Sequence, residues 1–173
     1  MGKHISYWLI PSEPFFTQLQ DLIKSLAKKY NSPVFEPHVT VYSGPGNEKN
    51  CNRIIDKATS GIKPISLEIL KVDHSPIYIK TLFIEFQLDA TISELSNHLR
   101  NTSEEPSDYI LKPHLSLIYN NMENKEKQTL TSDIDMTWNK ISFNWLKAIS
   151  TPSDVQSKED IALWRDLASV ELS

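Results

Sequence analysis

One short pattern occurs twice in this chain, and that repetition constrains the fold more than any other feature. The first copy is Pro37-His38-Val39-Thr40-Val41-Tyr42, and the second is Pro113-His114-Leu115-Ser116-Leu117-Ile118. Each reads proline, histidine, apolar, hydroxyl, apolar. Alternation with a period of two predicts a half-buried β-strand. Side chains two apart then share a face. His38 and Thr40 are expected on one face with Val39 and Val41 on the other, and His114 and Ser116 likewise, backed by Leu115 and Leu117. Two such strands facing one cleft would present two imidazoles and two hydroxyls to it.

The elements around the copies also repeat. Ile5 to Ile10 reads as a strand stopped by Pro11. A helix follows with Ser12 as its N-cap, apolar positions at Phe15, Leu19, Leu22, Ile23 and Leu26, and Lys28 and Lys29 in its last turn. After the first histidine strand, Gly44-Pro45-Gly46 turns the chain. A helix over 48–60 and a strand over 65–72 complete the first half. The order then restarts. A long strand is expected over 77–88, a helix over 91–100, the second histidine strand over 111–119, a short helix over 123–133, and strands over 141–149 and from Ile161 onward, with a loop over 151–160. The two halves, about 1–75 and 76–173, are expected to form lobe-like repeats within one domain of 173 residues. The boundary falls near Asp73-His74-Ser75-Pro76.

The bare pattern of histidine, apolar, hydroxyl, apolar also fits His4-Ile5-Ser6-Tyr7, so it matches three of the five histidines. The preceding proline and the place in a repeated element order single out His38 and His114. His74, in a turn, and His98, on a helix face, read as structural. His4 is read as structural too, although strand parity puts it on the face of Ser6 and Trp8.

A net charge of −4 lacks the basic excess that binding to long nucleic acid requires. The single cysteine, Cys51, excludes an internal disulfide. No stretch approaches the roughly 20 apolar residues of a membrane span. The N-terminus lacks a signal-peptide pattern, and Gly2 does not sit in a lipidation motif. A cytoplasmic monomer without a membrane partner is expected.

Two imidazoles flanking one site suit in-line phosphoryl chemistry. One neutral histidine takes a proton from the attacking oxygen, and the other, protonated, gives one to the departing oxygen. Thr40 and Ser116 would donate hydrogen bonds to non-bridging phosphate oxygens. Which histidine is base and which is acid stays open. No carboxylate or cysteine set accompanies the motifs in a metal-ligand pattern, so no metal and no cofactor are expected. Phosphate-loop and Gly-x-Ser-x-Gly patterns are also missing.

The paired motifs Pro37-His38-Val39-Thr40-Val41 and Pro113-His114-Leu115-Ser116-Leu117 resemble those of the 2H phosphoesterase superfamily. Within it, length and spacing most resemble the cyclic nucleotide phosphodiesterase (CPDase) group. The resemblance implies an α+β fold of two pseudo-symmetric lobes, each an antiparallel sheet with helices outside, around a central cleft. It implies metal-independent hydrolysis of a small cyclic phosphate: ADP-ribose 1″,2″-cyclic phosphate, or nucleoside 2′,3′-cyclic phosphate. It assigns His38, Thr40, His114 and Ser116 to the motifs, and Trp8 and Tyr119 to the walls of the nucleotide site. On a regular strand, Tyr42 shares the face of His38 and is a further wall candidate, whereas Tyr119 points away from His114. Two alternatives remain. One is a 2H branch acting on RNA 2′,3′-cyclic ends or in 2′-5′ ligation, for which Lys80, Lys112 and Lys147 could supply basic side chains. The other is a non-catalytic module that binds a phosphorylated nucleotide.

Overall fold

The structure is a computed structural model, and it describes residues 3–173. The Met1-Gly2 pair, read above for lipidation, lies outside the described residues. Among the described residues, seven strands and five α-helices follow in the order β1 (His4–Pro11), α1 (Phe15–Tyr30), β2 (Val39–Pro45), α2 (Cys51–Thr59), β3 (Ile65–His74), β4 (Leu82–Phe86), α3 (Ala90–Thr102), β5 (His114–Ile118), α4 (Asn124–Asp133), β6 (Lys140–Thr151), α5 (Lys158–Ala162) and β7 (Arg165–Glu171). The fold is α+β, and its sheet pairs are all antiparallel. Among the described residues no helix is long and apolar enough to cross a membrane.

The sheet runs β1-β2-β5-β4-β3-β6-β7 and bends back on itself, because β6 also pairs with β1. The first residues of β6 pair with β3, and the rest of it lies between β1 and β7. The repeat in element order therefore does not divide the strands by sequence half. From the first half, β3 joins β4, while β6 and β7 from the second half join β1. On the other side the two histidine strands meet at Val39 opposite Leu115.

The apolar face of the sheet forms the core with the helices. Leu19, Ile23 and Leu26 of α1 and Ile92, Leu95 and Leu99 of α3 are buried against Val39, Val41, Leu115 and Leu117. Each such side chain contributes about 1.5–3 kcal/mol through its burial. Asn31 ends α1 in a left-handed conformation, and its N–H donates to the Ala27 carbonyl. Ser12 does not cap α1 as expected. Its hydroxyl donates to the Ser142 carbonyl at 3.1 Å, tying the helix entry to β6. The Glu13 carboxylate instead accepts from the Thr17 N–H and hydroxyl.

Two other segments depart from the sequence expectation. The 77–88 strand is only Leu82–Phe86, preceded by a 3₁₀ turn at Tyr78–Lys80. The buried Thr81 hydroxyl causes this. It lies 2.7 Å from the Tyr78 and Asn120 carbonyl oxygens and pulls the chain into a turn at the rim of the sheet. The second departure is at Ile161 and Ala162, which lie in α5. The Ser157 hydroxyl accepts from the Asp160 N–H and starts that helix, so the last strand begins only at Arg165.

Candidate active site

Each histidine motif contains a β-bulge at the same position, and these bulges decide what faces the cleft. In β2, Thr40 lies opposite Trp8 and Tyr42 opposite Tyr7, so Val41 is the extra residue. In β5, Ser116 lies opposite Phe83 and Ile118 opposite Leu82, so Leu117 is extra. A bulged residue shifts the alternation that follows by one position. Val41 and Tyr42 both enter the core, as do Leu117 and Ile118. Ser43 and Tyr119, one step further, line the cleft. In β2 the bulge is held by α3, where the buried Ser96 hydroxyl donates to the Val41 carbonyl at 2.8 Å.

Tyr42 is thereby corrected: it is not a wall of the cleft. It is 1% exposed. Its phenol oxygen accepts the Ser107 N–H at 2.7 Å, holding the 103–113 loop against β2. Tyr109, from the same loop, donates its hydroxyl to the Thr40 carbonyl at 3.2 Å. The Arg100 guanidinium donates to the Ser107 and Tyr109 carbonyls. Tyr42→Phe should therefore lower stability by about 1–3 kcal/mol, the cost of an unpaired N–H, with little change in KM. Urea unfolding beside substrate kinetics checks this, and a large KM effect with unchanged stability would return Tyr42 to the cleft.

His38, Thr40, His114 and Ser116 all line a single cavity of about 470 Å³, together with Trp8 and Tyr119. The Val39–Leu115 register, continued, sets His38 across from Ser116 and Thr40 across from His114. The histidines then occupy diagonal corners. Such diagonal neighbours stand about 7–8 Å apart across a strand pair, a spacing that admits a phosphate group between the rings.

The proline in each motif has a local consequence. His38 Nδ1 lies 2.7 Å from the Glu36 carbonyl oxygen, and His114 Nδ1 lies 2.8 Å from that of Lys112. In both cases the acceptor belongs to the residue just before the proline, which proline restricts to extended backbone. A carbonyl only accepts, so each Nδ1 carries the proton. In the neutral ring, Nε2 is left as the free base.

The two imidazoles differ in surroundings. His38 is buried and stacks on Trp8 at 3.6 Å between centroids and 11° between planes. Phe35 and Trp164 meet it edge-on. Burial pulls its pKa down to about 3, with the Glu36 carbonyl opposing and His114 adding to the drop. His114 is half-buried and meets Phe83, the counterpart of Trp8, edge-on at 5.6 Å. Its pKa is lowered chiefly by burial, then by Lys80, against the raising effects of the Lys112 carbonyl and Glu85. Burial thus favours the uncharged form of both rings.

The other cleft residues fall as follows. Trp8 offers only part of its surface to a ligand, because the His38 ring covers one face. Tyr119 reaches the cleft, but it is 2% exposed and stacked on Phe35 at 3.8 Å, so it contributes an edge. Ser116 donates to the Ile79 carbonyl at 2.7 Å and must turn from it to meet a phosphate. Among the described residues the Thr40 hydroxyl makes no hydrogen bond. Sequence reading missed Ser6, Ser43 and Trp164, which line the same cavity, and it gave His4, which also lines it, only a structural reading. The parity of His4, Ser6 and Trp8 was the available signal. Ser43 was hidden by the bulge, and Trp164 by the misassigned last strand.

None of the three lysines considered for RNA binding lines this cavity. Lys80 and Lys112 line a second one of about 300 Å³ that shares His114. Lys147 is held by Glu36 at 2.9 Å and Asp166 at 3.4 Å. His98 bonds the Ala58 carbonyl at 3.0 Å and joins α3 to α2, a structural role. Among the described residues no group of three or more His, Cys, Asp or Glu is placed to hold a metal ion.

Solved structures share this architecture. LigT of E. coli in apo form matches with a TM-score of 0.59 at 11% identity, over 99% of this chain and 98% of that one. The same protein complexed with 3′-AMP matches with a TM-score of 0.56 at 12% identity, over 100% and 99%. At these identities the likeness establishes the fold. In sequence, a cyclic phosphodiesterase of Arabidopsis thaliana is 23% identical over 172 residues, covering 97% of this chain and 94% of the relative. The chain is a member of the 2H phosphoesterase superfamily. The family described as cyclic phosphodiesterase-like protein matches residues 1–172, and the chain belongs to it. It is a phosphodiesterase.

Proposed function

We propose that the protein opens a small cyclic phosphate to a phosphomonoester without a metal, using His38 and His114 as general base and general acid. The substrate is ADP-ribose 1″,2″-cyclic phosphate or a nucleoside 2′,3′-cyclic phosphate. The observation that carries this reading is the meeting of the two motif strands at Val39 and Leu115, with both imidazoles and both hydroxyls lining one cavity. One free Nε2 takes a proton from water as the water oxygen bonds to phosphorus. The bond from phosphorus to one ribose oxygen breaks, and the protonated imidazole gives that oxygen its proton. Thr40 and Ser116 donate to the non-bridging oxygens, where charge grows in the transition state. The anion itself supplies the field that protonates one ring, since a nearby opposite charge favours the charged form. LigT, whose fold is alike, is known complexed with 3′-AMP, and a small nucleotide suits this cavity too.

Phosphorus NMR on a panel of cyclic phosphates, with and without EDTA, tests this. The cyclic signal should convert to a monoester signal at the same rate in both. Loss of turnover on chelation would overturn the metal-free mechanism. Tight binding without turnover by folded protein would establish a binding module instead.

A further inference from the structure

The cavity extends well past the two motifs, and its far wall on the β1 side carries a second polar group. His4 Nε2 lies 2.8 Å from Ser43 Oγ. Ser43 Oγ lies 2.8 Å from Ser6 Oγ, and Ser6 Oγ lies 3.5 Å from Thr151 Oγ1. All four residues line the cavity that holds His38 and His114. They come from three adjacent strands. Ser6 pairs with Ser43 across β1 and β2, and His4 pairs with Thr151 across β1 and β6. The bulge at Val41 is what turns Ser43 onto this face beside Ser6 and His4.

From Trp8, which stacks on His38, His4 is four residues along β1, or about 13 Å of strand. A cyclic phosphate held between the motifs leaves this end of the cavity free, so the array meets whatever the phosphate is attached to. Each of the four side chains both donates and accepts in its neutral form. Burial lowers the pKa of His4, favouring that form. Among the described residues no lysine or arginine lines the cavity, and Asp154 is its one carboxylate. A second anionic group, such as a diphosphate, would find no cation here. A flat group with a donor and an acceptor side by side would find a matching row here, in a cavity that Ile77, Tyr109 and Val155 also line.

We propose that His4, Ser43, Ser6 and Thr151 form a subsite for the hydrogen-bonding edge of a nucleobase, which makes a nucleoside 2′,3′-cyclic phosphate the preferred substrate class. This rests on the cyclic phosphodiesterase reading and narrows it. The bulge at Val41, pinned by Ser96, is then a specificity device, because a regular strand would turn Ser43 to the core.

The experiment compares kcat/KM on nucleoside 2′,3′-cyclic phosphates with that on ribose 2′,3′-cyclic phosphate, which lacks the base. It does so in wild type, His4→Ala and Ser43→Ala, each checked by circular dichroism. The ratio of nucleoside to base-free substrate should fall about 5- to 10-fold in each variant, mostly through KM, as expected for lost neutral hydrogen bonds. The same ratio in wild type and both variants would overturn the subsite. Wild type that opens none of the substrates would refute the enzyme reading instead. Calorimetry with nucleoside 2′-monophosphate then judges the subsite separately: weaker binding by both variants supports it, and equal binding overturns it.

Discussion

His38→Ala and His114→Ala should each slow cyclic-phosphate opening by about 10²–10⁴-fold, the usual contribution of a positioned acid or base. The two losses will not add. Both rings act on one transition state, so the double variant should fall little below the worse single one. The effects should also divide differently between stability and rate. His38 is buried under Trp8, Phe35 and Trp164, and its removal opens a cavity in that aromatic cluster. His114 is half-buried and meets only the edge of Phe83. His38→Ala should therefore lose measurable stability along with activity, whereas His114→Ala should lose activity from a fold close to wild type. His38→Gln, which fills more of the space, serves as the folded control. The measurements are initial rates followed by phosphorus NMR and urea unfolding on the same preparations. Retained activity in either single variant, with the fold intact, would remove that histidine from the chemistry.

What could be read from sequence was whatever is local. The alternation in 37–41 and 113–117 correctly put His38, Thr40, His114 and Ser116 on a shared face, because neither motif is interrupted before its hydroxyl. The repeated order of strand, helix and histidine strand was visible for the same reason. Parity arguments failed one residue later in both copies. A bulge depends on the partner strand and on the packing beneath it, here the Ser96 hydroxyl under Val41, and neither lies nearby in sequence. Tyr42 and Tyr119 were therefore placed on the wrong faces by alternation alone, although the family resemblance put Tyr119 at the cleft. The pairing of β6 with β1 is likewise set by contacts across the chain, and no periodicity records it. The role of the two prolines was not evident either, until the carbonyls of Glu36 and Lys112 were seen to orient the rings.

Acid should destabilise the protein earlier than carboxylate titration alone would, and His38 should be a main cause. Its folded pKa is about 3, below the value of about 6.5 for an exposed histidine. Between those values the unfolded chain binds a proton that the folded chain refuses. Stability is therefore complete above about pH 6.5 and falls as the pH drops, by up to about 1.4 kcal/mol per pH unit for this one group. Burial lowers His114 and His4 in the same direction and steepens the fall. Carboxylates held low, such as Glu48 beside Lys3, act later, because their unfolded pKa is near 4.5. The interval from pH 6.5 to 5 therefore isolates the histidines. Unfolding free energies from urea titrations in that interval should slope downward toward acid in wild type. His38→Gln should have a shallower slope by as much as about 1 kcal/mol per unit, while its stability at pH 7 reports the packing change separately. Inorganic phosphate should flatten the wild-type slope as well, since an anion between the rings makes protonation in the fold favourable. Equal slopes in wild type and His38→Gln would mean that His38 takes up its proton as readily in the fold as in the unfolded chain, and burial would not be what holds its ring neutral.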